Sequence, residues 1–220
     1  MTWVRIAVLG TGMVGQAVAT RLVEVGHDVM MGARDAANPK AVQFATRTGA
    51  AAGTFADAAG HGEVVVNATA GTASLAVLAA AGGADALAGK VLVDLANPLD
   101  FAGGTVKLTV VNTDSLAEQI QRAYPGAAVV KTLNTVTAEV MVHPERVPGP
   151  HTMFLAGDSP EAKQIVAGLL GQFGWPAESI LDLGGITAAR GMEMYLPLWL
   201  SMMSAQGTAL FNIHVTRAAP

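Results

Sequence analysis

The apolar run Val4-Arg5-Ile6-Ala7-Val8-Leu9 passes directly into Gly10-Thr11-Gly12-Met13-Val14-Gly15. This is G-x-G-x-x-G placed where a first strand hands over to a first helix. The spacing alone is a weak signal; strand, glycine turn and helix together form a dinucleotide fingerprint. Gly10 allows the tight turn, Gly12 lets a pyrophosphate approach the backbone, and Gly15 lets the helix pack closely. Phosphates would rest on free N–H groups at the positive end of the helix dipole.

Later residues refine the expected cofactor. Gly26-His27-Asp28-Val29-Met30-Met31-Gly32 reads as a turn and a second strand. The NAD pattern places Asp or Glu near its end, about twenty residues past the glycines, to hold the ribose hydroxyls. Here the strand is followed by Ala33 and Arg34. A carboxylate would repel a 2′-phosphate, whereas an arginine pairs with one through forked, charge-assisted hydrogen bonds. Lys40 can add a second positive charge, and Asp35 lies beyond the strand end. NADP(H) is therefore expected in preference to NAD(H).

Apolar runs alternate with helical segments along the chain. Strands are expected at Arg5–Leu9, Asp28–Met31, Val64–Ala68, Val91–Asp94 and Ala128–Lys131. Helices are expected at Met13–Val25, Pro39–Thr48, Thr72–Ala81 and Ser115–Ala123. This order implies βαβ units and a doubly wound parallel sheet of Rossmann type. A composition of 51% hydrophobic and 14% charged residues suits a sheet covered on both faces. The turn-rich Val147-Pro148-Gly149-Pro150 marks a boundary between residues 1–150 and a small C-terminal α/β-helical unit, 151–220. In that unit Thr152–Ala156 and Ile180–Leu183 read as strands and Ala162–Phe173 as a helix. Thr187 to Gly207 reads as one long apolar helix, kinked near Pro197.

The net charge of −4 gives no basic surface for nucleic acid or an anionic membrane. The chain has no cysteine, which excludes disulfides, thiol nucleophiles and cysteine metal sites. No signal-peptide pattern opens the sequence, so a cytoplasmic location is expected. His27, His61, His143, His151 and His214 show no i, i+3 or i, i+4 spacing with one another, so no metal site is expected. No nucleophile motif is present.

Ligands of open parallel sheets bind beyond the carboxyl ends of the strands. Those ends offer Ala68-Thr69-Ala70-Gly71, Asn97-Pro98 and Thr132-Leu133-Asn134-Thr135, which are small and polar. Asp94 reads as a strand-end carboxylate, and no acid–base pair stands out. The expected cofactor contacts are thus Gly10, Thr11, Gly12, Met13, Val14, Gly15, Ala33, Arg34, Lys40, Ala68, Thr69, Asn97, Pro98, Asn134 and Thr135, with no catalytic side chain. A dinucleotide site without an acid or base suits hydride transfer between a nicotinamide and a flavin-like ring, where the cofactors carry the chemistry.

Several motifs together resemble the NADP oxidoreductases that depend on coenzyme F420, a deazaflavin. They are also similar to the cytosolic reductase domain of six-transmembrane metalloreductases. The likeness rests on the glycine turn, Gly32-Ala33-Arg34 and Val130-Lys131-Thr132-Leu133-Asn134-Thr135. It continues through Ala156-Gly157-Asp158 and Ala188-Ala189-Arg190 with Glu193 and Pro197. The resemblance implies that Thr11, Ala33 and Arg34 hold the 2′-phosphate. Ala33 stands where serine is common, so one hydroxyl contact is lost. The deazaflavin enzymes carry histidine and proline in the segment matching Leu133 to Thr137. Here it is Leu133-Asn134-Thr135-Val136-Thr137, nearer to the metalloreductase domain, which uses an ordinary flavin. The implied acceptor is therefore F420 or FMN/FAD. The resemblance also implies a homodimer built on the C-terminal unit, for which Met192, Met194, Leu198, Trp199 and Met202 are candidates. Two other functions stay open: reduction of a small imine or 2-ketoacid, for which Lys163 would be the one lysine of the second unit, and non-catalytic NADPH sensing.

Overall fold

The computed structural model describes residues 3–104 and 106–218. The chain begins β1 (Arg5–Leu9), α1 (Met13–Glu24), β2 (Asp28–Ala33), α2 (Pro39–Thr48), β3 (Ala51–Thr54), α3 (Phe55–His61) and β4 (Val64–Asn67). Then come α4 (Ser74–Ala80), α5 (Gly83–Leu87), β5 (Val91–Asp94), a hairpin of β6 (Leu99–Asp100) and β7 (Lys107–Leu108), α6 (Leu116–Ala123) and β8 (Ala128–Thr132). The rest is α7 (Ala138–Val142), β9 (Met153–Gly157), α8 (Pro160–Phe173), β10 (Ile180–Asp182), α9 (Ala189–Met194) and α10 (Leu196–Gln206).

Eight strands form one sheet in the order β10-β9-β8-β5-β4-β1-β2-β3. The order reverses on either side of β1, so this is the doubly wound Rossmann type of α/β sheet. Alternation along each strand divides the core. Ile6 and Val8 of β1 pack with α1, α2, α7 and α8 on one face. Ala7 and Leu9 pack with α3, α4, α6 and α9 on the other. No helix among the described residues is long and apolar enough to cross a membrane.

The structure departs from the sequence expectations in several places. The unit β3–α3 was not anticipated. Its strand, Ala51-Ala52-Gly53-Thr54, has little strand propensity but pairs in register with β2 at the sheet edge. Thr54 then starts α3 with a capping box completed by Asp57. Beyond the 147–150 turn the chain continues the same sheet. β9 lies antiparallel beside β8, with Lys131 opposite Ala156, and β10 runs parallel to β9. The long C-terminal helix is two helices, α9 and α10, parted at Tyr195, with Pro197 in the first turn of α10. Proline is tolerated there because first-turn N–H groups have no helical acceptor.

Candidate active-site cleft

The glycine turn divides its labour by geometry. Gly10 sits at φ 121°, and a Cβ there would lie 2.5 Å from the Ala68 carbonyl oxygen. A Cβ on Gly15 would collide with the Gly10 carbonyl oxygen, so this glycine closes the turn itself. Gly12 is different, because its Cβ would meet nothing within 4 Å. Gly12 is also the N-cap of α1, no side chain caps that end, and no acidic residue occupies the first turn. A helix start left open on an empty approach is what a phosphate requires.

Arg34 follows the last residue of β2, the buried Ala33. Arg34 and Lys40 are exposed, and among the described residues neither side chain has an ion-pair partner. Asn38 caps α2 by accepting from the Lys40 and Ala41 N–H groups at 3.1 and 3.2 Å. The exposed Asp35 accepts from the Ala37 N–H at 2.9 Å. That leaves the Arg34 and Lys40 side chains without a carboxylate partner, after β2 and at the start of α2.

Beyond the turn lies a cleft of about 390 Å³. Met13, Val14, Ala68, Thr69, Asn97 and Asn134 line it, joined by Leu95, Phe101, Thr137, Met141, Leu196 and Trp199. Pro98 is buried behind Asn97, and its carbonyl accepts from the Thr109 N–H at 2.8 Å, which ties down the β6–β7 hairpin. Thr135 lines a separate cavity of about 210 Å³ with Phe154, Met192 and Tyr195. Leu133, at φ 61°, makes the sharp bend that separates Asn134 from the strand. The left-handed conformation of a leucine costs about 1–2 kcal/mol, offset here by burial of its side chain in the core.

Asn134 is held hard. Its Nδ2 donates to the Asn97 Oδ1 at 2.9 Å and the Met192 carbonyl at 3.0 Å. The Asn97 Nδ2 donates back to the Asn134 carbonyl at 2.9 Å. On the opposite wall, the Thr69 hydroxyl donates to Asn67 Oδ1 at 2.7 Å, and Asn67 Nδ2 donates to Asp94 Oδ1 at 2.8 Å.

This chain of bonds leads to a feature that sequence reasoning missed. Lys131, 0% exposed, lies 2.8 Å from Asp94 Oδ2 and 2.9 Å from Glu193 Oε1, with both carboxylates also buried. Glu193 further accepts from the Leu116 and Ala117 N–H groups at the start of α6. Burial would lower the Lys131 ammonium, but Asp94 and Glu193 more than offset it and hold it above its ordinary value. Burial raises the Glu193 carboxyl, against the pull of Lys131. Asp94 and Lys131 end neighbouring parallel strands in direct register. Opposite charges at the ends of two adjacent strands were the available sequence signal. The triad reaches the cleft only through the backbone of Ala96, which donates to Asp94 and accepts from Lys131 and lines the cavity; it ties β5, β8, α6 and α9 into one frame beneath it.

Glu118, inside α6, takes a fork from Arg190 of α9 at 2.5 and 2.9 Å. Lys163, in the first turn of α8, pairs with Asp182 of β10 at 2.8 Å and lines a different cavity, so it is no candidate for chemistry in the cleft.

Residues 5–98 match the family described as NADP oxidoreductase, coenzyme F420-dependent. An F420-dependent NADP reductase of Methanothermobacter marburgensis is 30% identical over 217 residues, covering 90% of this chain and 92% of its own. The rat metalloreductase STEAP3 is 31% identical over 201 residues, or 89% of this chain, but the match spans only 38% of that longer protein. A solved structure of a candidate F420-dependent NADP-reductase from Arthrobacter sp. FB24 superposes with a TM-score of 0.92 at 49% identity, covering 97% of this chain and all of that one. The chain belongs to the family of F420-dependent NADP oxidoreductases.

Proposed function

We propose that the protein passes hydride between NADP(H), seated on the glycine turn, and a deazaflavin or flavin ring held in the cleft. The observation that carries this reading is the lining of the cleft, which among the described residues contains no charged or imidazole side chain. Reduction of an imine or a ketone calls for a positioned proton donor. Transfer between two stacked rings calls for alignment and exclusion of water. Bound NADPH would supply the hydride, and water at the cleft mouth would supply the one proton that completes the reduction.

In this arrangement Gly12 and the α1 N-terminus hold the pyrophosphate, and Arg34 with Lys40 holds the 2′-phosphate. Thr69 and Asn97 flank the nicotinamide. Asn134 and α10 form the acceptor wall. The buried triad keeps the walls at fixed spacing. Stopped-flow measurement of NADPH oxidation with F420, FMN and FAD tests the proposal, and absence of turnover with all three rejects it.

The assembly we propose is a homodimer through α10. Of its residues only Leu196 is buried, although the helix is mostly apolar. Met192 and Trp199 are engaged within the chain, the first through its carbonyl to Asn134 and the second by stacking on Phe211. Met194 and Leu198 remain exposed, with Met202 half-buried one turn after Leu198, and the Met194 Sδ accepts from the Asn112 N–H.

A further inference from the structure

The chain has no cysteine, so a peroxide finds its most oxidisable sulfur in methionine. The methionines are not equally open to it. Met31, Met141, Met153 and Met192 are buried, and Met30, Met202 and Met203 are half-buried. Met194 is 36% exposed, and its Sδ accepts from the Asn112 N–H. Met13 is 77% exposed and is the first residue of α1, directly after Gly12. Its side chain lines both the cleft and an adjoining cavity of about 420 Å³ between α1, α2 and α7. A dinucleotide that rests its phosphates at Gly12 and brings its nicotinamide into the cleft has to pass over this side chain. Exposure in the free chain and cover in the loaded one therefore fall on the same sulfur.

We propose that Met13 is a modification site: hydrogen peroxide converts it to the sulfoxide in the free protein, bound NADP(H) shields it, and the sulfoxide weakens NADP(H) binding. The inference rests on NADP(H) occupying the glycine turn. In the step, a sulfur lone pair attacks one peroxide oxygen and the O–O bond breaks. Sulfur gives up two electrons and becomes S=O, and the other oxygen leaves with both protons as water. The product replaces a pliable apolar side chain with a polar one. Its oxygen carries partial negative charge beside the α1 N-terminus, where the pyrophosphate would rest, in a cleft shared with the apolar Val14, Ala68 and Leu196. Repulsion from the phosphates and loss of apolar cover both act against binding. A thiol-driven sulfoxide reductase reverses the change, so the site can act as a brake that is released again.

Peptide mass spectrometry after treatment with hydrogen peroxide locates the added oxygen, and calorimetric titration with NADP⁺ before and after treatment reads its effect. Met13 is expected to oxidise ahead of the other methionines, and saturating NADP⁺ to slow Met13 alone. The oxidised protein is expected to bind NADP⁺ at least about fivefold more weakly, the cost of one unpaired polar group. Methionine sulfoxide reductase should restore the affinity. Met13→Leu cannot take the oxygen, so whatever affinity it has before peroxide it should keep afterwards. The wild-type measurements stand whether or not that variant folds. Oxidation of Met13 no earlier than elsewhere, absence of shielding by NADP⁺, or unchanged affinity once Met13 is oxidised overturns the inference and leaves the hydride-transfer reading in place. An equal loss of affinity in Met13→Leu does the same. If the untreated protein binds no NADP⁺, both fall.

Discussion

At the scale of single residues, the three glycines of the first turn are not equivalent, and the difference can be measured. Gly12→Ala adds a methyl to open space at an ordinary φ of −74°. Its melting temperature is expected to stay within about 2 °C of wild type, while NADP⁺ affinity falls at least about tenfold because the phosphate approach is blocked. Gly15→Ala places the methyl against the Gly10 carbonyl and should cost about 1–3 kcal/mol of stability by overpacking. Calorimetry with cofactor titration separates the two. Arg34→Ala should leave stability unchanged, since the side chain is exposed and unpaired. It should weaken NADP⁺ about 10–100-fold, the range for charged hydrogen bonds, and leave NAD⁺ binding as it was. The motif and its context showed where a dinucleotide would lie. They could not show that Gly15 closes the turn rather than the helix–sheet contact, because that depends on where the Gly10 carbonyl points.

At the scale of elements, strands rich in Val, Ile and Leu were legible and β3 was not. Ala51-Ala52-Gly53-Thr54 is a strand only because β2 supplies an edge to pair with, and tertiary pairing of that kind leaves no local trace. The one surviving sign was Thr54 three residues before Asp57, a helix start with nothing obvious before it. The buried triad was hidden for a related reason. Asp94, Lys131 and Glu193 sit far apart in sequence, and each alone reads as an ordinary strand-end or helix charge. Lys131→Met would strand two buried carboxylates, at a cost of about 3–5 kcal/mol. For a chain of this length that lowers the melting temperature by about 10 °C. The Glu118–Arg190 fork between α6 and α9 makes a prediction with a sign. The Arg190 fork holds the Glu118 carboxyl below its ordinary value of 4.5. A lowered carboxyl stabilises the folded state above the unfolded value, and that contribution disappears as pH falls through the lowered folded value. The melting-temperature deficit of Arg190→Gln should therefore be present at pH 7 and shrink steadily below about pH 4.5. A deficit independent of pH would contradict the pairing.

At the scale of the molecule, the alternation of strands and helices was enough to read a doubly wound sheet. It did not reveal that β9 turns back beside β8 and carries the C-terminal residues into the same sheet. Nor did it reveal that Trp199, read as an outward interface residue, lines the cleft. Both depend on the direction of one strand and on the break at Tyr195. A dimer through the exposed Leu198 and its neighbours Met194 and Met202 predicts a particle of twice the 22.4 kDa chain mass by light scattering. Leu198, 57% exposed, is the position to test: Leu198→Glu should return the monomer mass without loss of folded signal.

The reversal of β9 has one more consequence, which concerns time rather than space. One wall of the cleft is made by Met13 and Val14, and the facing wall by Leu196 and Trp199, synthesised much later and braced by Phe211. During synthesis the glycine turn can take shape against the early strands while the opposite wall does not yet exist. Long-range closures of this kind come last in folding. A growing chain could therefore recognise the nucleotide well before it has a compartment in which a second ring could meet it.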